Sequence, residues 1–190
     1  MPPKANLTKE KIAEKAFEIL RSEGYDALNA RYLAASLGVS TMPLFHYYEN
    51  MDEIKIAAIT LGVEKYCRYM EDGMGEEFPF KGIGKAYIKF AKEEPKLFKI
   101  FFMTADDKVI GVPKKDPKYG AAFDIASNIM NGNQDEGSRI LKSMWIFVHG
   151  IASLEATGKT TFDEFEVNDM LSDVFWGLKN QLKSEEKNNE

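Results

Sequence analysis

The stretch that decides the fold is Arg31-Tyr32-Leu33-Ala34-Ala35-Ser36-Leu37-Gly38-Val39-Ser40-Thr41-Met42-Pro43-Leu44-Phe45-His46-Tyr47-Tyr48. Ala34 is small where two helices must cross closely, and Gly38 suits the left-handed turn residue between them. Val39 can plug a core just after the turn, and Leu44 faces the same core one turn into a second helix. Ser40 is a natural N-cap for that second helix, and Pro43 falls in its first turn, where a missing N–H costs little. This is the spacing of a helix-turn-helix, whose second member presents its early residues outward. Short helices joined by a glycine also occur in all-helical proteins that never meet DNA, so spacing alone leaves both readings open.

Helix signals dominate on either side. Thr8 caps a first helix in which Ile12, Ala13, Ala16, Phe17 and Leu20 recur at helical spacing, and Gly24 stops it. Asn29 caps the second helix, and Asn50 caps a long fourth one through Ile54, Ala57, Ala58, Leu61, Val63 and Met70, broken by Gly73-Met74-Gly75. Further helices are expected over 80–94, 97–103, 121–130, 135–157 and 162–182, with a long loop at 105–119 that contains Pro113 and Pro117 and a frayed polar tail from Ser184. No strand pattern and no repeat is visible. The fold class is therefore all-α: a three-helix helix-turn-helix domain over 1–50, followed by a larger helical domain over 51–190, with the fourth helix as a rod shared by both.

Composition narrows the function classes. The chain has 190 residues, 44% of them hydrophobic and 29% charged, an ordinary globular mix. The net charge is −5, and through Lys55 seven basic side chains face eight acidic ones, so any DNA contact must be local, with few phosphate contacts and a shallow salt dependence. Cys67 is the single cysteine and has no neighbours at metal-ligand spacing, so neither a disulfide nor a metal or other cofactor is expected. The start, Met1-Pro2-Pro3-Lys4, lacks an apolar signal-peptide core, and no run nears the ~20 apolar residues of a membrane span, so a cytoplasmic protein without membrane contact is expected. With His46 and His149 as the only histidines, no nucleophile–base set can be assembled, and catalysis is not expected.

Residues 11–59 resemble the N-terminal domain of the TetR family of regulators. The likeness rests on Ala16-Phe17, Glu23-Gly24-Tyr25-Asp26-Ala27, Leu33-Ala34, Leu37-Gly38-Val39-Ser40, Leu44-Phe45-His46-Tyr47-Tyr48, Asn50, Glu53 and Ile54. The resemblance implies a homodimer that binds a double-stranded operator. Arg31 would reach a guanine edge, and Thr41, Met42, Phe45 and His46 would meet the groove or backbone. Tyr47 and Tyr48 would divide between a phosphate contact and the core. Pro43, Phe45 and Met51 depart from the family pattern, in which Thr or Ser, Tyr, and Lys are frequent, and each change removes a phosphate-type contact. They motivate a second reading: a helical dimer that binds a small molecule or protein, its DNA head weak or vestigial.

Met144-Trp145-Ile146-Phe147-Val148-His149-Gly150-Ile151-Ala152-Ser153-Leu154-Glu155, together with Glu94-Pro95-Lys96-Leu97-Phe98-Lys99-Ile100-Phe101-Phe102, resembles the C-terminal domain of the Trp-His-Gly subgroup of that family. The likeness implies a dimer interface built by the last two helices, with Gly150 allowing close approach and Ile151, Leu154, Met170, Phe175 and Leu178 buried between subunits. A concave apolar site for an apolar or aromatic effector would draw on Tyr66, Tyr69, Met70, Tyr87, Phe90, Phe102, Met103, Phe123, Met130, Trp145 and His149. Each of these, taken singly, is first a candidate for plain core.

Overall fold

A computed structural model describes residues 7–105, 109–113 and 116–189, with side chains through Glu185. The described residues form helices and 3-10 turns and contain no strand. The helices are α1 (Lys9–Glu23), α2 (Ala30–Ser36), α3 (Met51–Met74), α4 (Pro79–Glu93), α5 (Pro95–Phe102), α6 (Tyr119–Ile129), α7 (Gln134–Thr157) and α8 (Glu164–Asn189).

The ends are set by local chemistry. Thr8 Oγ1 accepts from the Lys11 amide at 3.2 Å, and Asn29 Oδ1 accepts from the Tyr32 amide at 3.0 Å. Asn50 Oδ1 accepts from Glu53 N at 3.0 Å while the Glu53 carboxylate accepts from Glu49 N at 2.8 Å. At α8 the exchange is a full capping box: Asp163 Oδ1 accepts from Glu166 N at 2.8 Å and Glu166 Oε2 accepts from Asp163 N at 2.9 Å. After α2 the chain turns through Gly38 at φ +69°, with Gly38 N donating to Ala35 O at 3.1 Å and Val39 N to Ala34 O at 3.0 Å, the paired bonds of a Schellman ending.

Two expectations are corrected here. The third helix is a 3-10 turn, Met42–His46, and its cap position is Thr41, with no side-chain capping bond, instead of Ser40. Pro43 supplies no amide, and the first backbone bond that closes the segment is the short-range Leu44 N to Thr41 O at 3.1 Å, so the segment tightens to three residues per turn. The tail expected to fray from Ser184 continues α8, and Glu185 pairs with Arg139 at 2.5 Å.

The chain divides into two compact units, one of Met1–Tyr66 and Lys96–Lys114, the other of Cys67–Pro95 and Lys115–Glu190. Packing thus divides the chain inside α3. In the first unit Ile12, Ala16, Leu20, Leu28, Leu33, Leu44, Ile54, Leu97 and Phe98 are buried. Helix α5 joins this core because Gly62 leaves room for it: a Cβ there would lie 2.9 Å from Phe101 and 3.6 Å from both Leu97 and Phe17. The loop after α5 is tied back by Ile110 N, which donates to Tyr25 Oη at 3.2 Å. In the second unit α7 is the central helix, packed against α4, α6 and α8. Its buried side includes Ile140, Leu141, Met144, Val148, Ile151 and Ala152.

Candidate functional site

The 3-10 turn and the start of α2 form the candidate nucleic-acid interface. Leu44 and Tyr48 turn inward, and the Tyr48 hydroxyl donates to Lys9 O at 3.0 Å under the Lys9 ammonium, 4.8 Å from its ring. Burial, with Glu10 and Glu53 nearby, pushes the Tyr48 phenol up, so it stays a donor. Tyr48 therefore belongs to the core and offers no phosphate contact. Tyr47 keeps an exposed ring, but its hydroxyl donates to Leu7 O at 2.7 Å. Arg31, Phe45 and His46 are exposed, Thr41 is half-buried, and Met42 is 70% exposed. Beside them Tyr32 donates to Glu23 at 2.6 Å, a contact that raises its pKa, and Lys55 lies over the Tyr25 ring at 4.6 Å.

The effector candidates are distributed over both units. In the first unit Tyr66 is buried edge-on to Phe102 with centroids 5.3 Å apart, and Met103 is exposed. In the second unit Met70, Phe90 and Met130 are core residues, Phe123 is half-buried, and Tyr69 packs edge-on to Phe90 at 5.4 Å while donating to Glu93 at 2.6 Å. Tyr87, Trp145 and His149 do converge: Tyr87 Oη is 3.0 Å from His149 Nδ1, and the exposed Trp145 ring stacks on His149 at 5.4 Å. Burial, aided by Asp116, raises the Tyr87 pKa, and burial lowers that of His149, so the pair is uncharged near neutral pH. A cavity of about 230 Å³ in the first unit is lined by Ile100, Thr104, Ala105, Val109, Ile110, Gly111 and Val112. Sequence periodicity did not point there, because most of this lining comes from the loop after α5. Among the described residues no cluster of His, Cys, Asp or Glu could hold a metal ion, and no helix is long and apolar enough to cross a membrane.

The dimer candidates are sorted by exposure. Gly150 is exposed and a Cβ there would meet nothing within 4 Å; Leu154 is also exposed. Ile151 is buried within the subunit and is corrected to intrachain core. Met170, Phe175 and Leu178 are half-buried, and Phe175 packs on Phe80 with centroids 5.7 Å apart. Further outward side chains are ones the sequence reading missed: Ile146 on α7, 58% exposed, and Phe165 and Trp176 on α8, 72% and 55% exposed. Their spacing was the available signal. Ile146, Gly150 and Leu154 are four apart, and Phe165 and Trp176 are three helical turns apart, so each set shares a face.

Comparison with known proteins agrees with this architecture. The family model for a tetracyclin repressor-like C-terminal domain matches residues 80–174. An uncharacterized HTH-type transcriptional regulator of Mycobacterium tuberculosis is 22% identical over 180 residues, 90% of this chain and 79% of the relative. The HTH-type transcriptional repressor DrrR1 of Streptomyces coeruleorubidus is 38% identical over 52 residues, 27% of this chain and 19% of that repressor. A TetR variant of Acinetobacter baumannii, solved in complex with minocycline, superposes with a TM-score of 0.54 at 16% identity, covering 93% of this chain and 98% of that one. The chain belongs to the TetR family of helix-turn-helix transcriptional regulators, which are not enzymes.

Proposed function

We propose that the protein is a homodimeric repressor, resident in the cytoplasm, that binds a two-fold operator and leaves it when a small apolar or aromatic molecule binds the larger helical part. The observation that carries this reading is the sorting of side chains along 42–48. Leu44 and Tyr48 anchor the segment from inside, while Met42, Phe45 and His46, with Arg31 from α2, stand outward as a reading surface. Operator symmetry requires two such surfaces about 34 Å apart, and the apolar faces of α7 and α8 supply a surface for pairing. A TetR variant of the same fold holds minocycline, which supports a small-molecule effector here. The effector acts only if it binds two conformers of the repressor differently.

The test is retention of the DNA upstream of the protein's own gene in a mobility-shift assay, with and without a panel of apolar and aromatic compounds. Sequence-specific retention abolished by one compound supports the proposal. Retention blind to sequence, or none, favours the second reading, a small-molecule- or protein-binding dimer with a vestigial DNA head. The acidic balance through Lys55 and the replacements at Pro43, Phe45 and Met51 favour that reading.

A further inference from the structure

The reading surface carries few side chains of the usual base-reading kind. A typical specific contact is a bidentate hydrogen bond to a base edge, from Arg, Lys, Asn or Gln. On this surface Arg31 is of that kind. Thr41 is half-buried, and the Tyr47 hydroxyl is already donated to Leu7 O at 2.7 Å. Lys9 and Lys55 face the rings of Tyr48 and Tyr25 at 4.8 and 4.6 Å. Beside the exposed His46 stand two exposed apolar side chains, Met42 at 70% and Phe45 at 41%, three residues apart in a 3-10 turn, where positions i and i+3 eclipse and stand on one side. The apolar feature that a base pair presents in the major groove is the C5-methyl of thymine.

We infer that Met42 and Phe45 are specificity-determining residues that read thymine methyl groups, so that each operator half-site carries thymine where these two side chains meet the groove. The inference rests on the operator-binding reading above and specifies what that surface reads. It also accounts for a DNA head with no surplus of positive charge. Affinity that phosphate neutralisation does not supply is drawn from apolar contacts with base edges.

The test begins with duplexes selected by the full-length protein from a randomised library. Each thymine of the selected site is then replaced singly by uracil, which removes the methyl and leaves base pairing intact. With wild-type protein, one or two uracils per half-site should weaken binding about fourfold each, the effect of exposing one buried methyl. Met42→Ala should bind the thymine and uracil forms of one such site equally, Phe45→Ala those of another, and Met42→Leu should keep the methyl preference. Both Ala variants alter exposed side chains, and an unchanged melting temperature checks that they fold. The inference is overturned if no uracil matters to the wild type, or if both Ala variants stay as methyl-sensitive as the wild type. If the library yields no enriched sequence at all, the operator-binding reading has failed first, and this inference with it.

Discussion

Trp176→Ala is the sharpest probe of the pairing surface. The ring is 55% exposed on α8, edge-on to Phe175 at 5.3 Å and with Lys179 Nζ 5.4 Å above it. A large aromatic side chain buries up to about 250 Å², which leaves about 140 Å² of Trp176 open to a partner. At about 25 cal/mol per Å², covering that area contributes about 3.5 kcal/mol. A two-fold interface uses each residue twice, and truncation of such a residue typically costs about 2 kcal/mol or more per copy. A loss of about 4 kcal/mol per dimer raises its dissociation constant about a thousandfold. Sedimentation velocity over a dilution series reads this directly: the variant should be monomeric at concentrations where the wild type is paired. Phe175→Ala is the matched control, because Phe175 packs on Phe80 inside the subunit. Its effect should appear in the melting temperature more than in the dimer constant. If Trp176→Ala dissociates at the same dilution as the wild type, the pairing surface lies elsewhere.

Gly82→Ala should destabilise although Gly→Ala in a helix ordinarily gains about 1 kcal/mol. A Cβ at Gly82 would lie 2.0 Å from the Gly73 carbonyl oxygen, backbone that cannot swing aside, so overpacking of about 3 kcal/mol wins and the melting temperature falls by about 5–10 °C; an unchanged or raised value would contradict the close crossing. Burial lowers the His149 pKa below its ordinary 6.5, so the folded state binds fewer protons than the unfolded one just below that pH. Its contribution is complete above 6.5 and is lost as the pH falls, and melting temperatures between pH 7 and 5 should drop less in His149→Asn than in the wild type. The Glu155 side chain, 2% exposed, accepts from Phe162 N at 2.7 Å and faces Lys92 Nζ at 3.5 Å. Removing it in Glu155→Ala leaves the Phe162 amide without that acceptor, and urea unfolding should show a loss of about 2–3 kcal/mol, with Glu155→Gln milder. Operator affinity should fall with salt less steeply than for a protein that neutralises six to ten phosphates; a log–log slope of about −5 or steeper contradicts the apolar reading surface.

The legible parts of the fold were those fixed by local rules. Thr8, Asn29, Asn50 and Gly38 act where their side chains or their lack of one dictate, since a cap or a left-handed turn needs only a few neighbouring residues. The recognition segment was legible as an inward and outward pattern but not as a geometry. Pro43 deletes an amide, and whether the backbone then closes as an α or a 3-10 turn depends on bonds such as Leu44 N to Thr41 O that composition does not reveal. The C-terminal surface was legible by helix but not by residue. Phe175 and Trp176 differ by one position, a rotation of about 100° on a helix, and that separates a side chain packed on Phe80 from one facing outward. Apolar residues cover more than one side of α8, so periodicity alone could not say which strip met the chain's own core.

A comparable inward and outward sorting lets stability and the outward surface vary independently in the helix-turn-helix unit. Leu44 and Tyr48 are four residues apart and both buried, and the Tyr48 hydroxyl fixes the segment to the start of α1 through Lys9 O. Met42 and Phe45, interleaved with them, are exposed. A substitution at either outward position leaves the anchors untouched and changes only what the groove meets, whereas a substitution at Leu44 or Tyr48 displaces every reading side chain together. Residues such as Pro43 and Phe45 therefore change the outward chemistry without removing the element that carries them, and under the proposed reading such a surface would select an operator by apolar contact more than by charge.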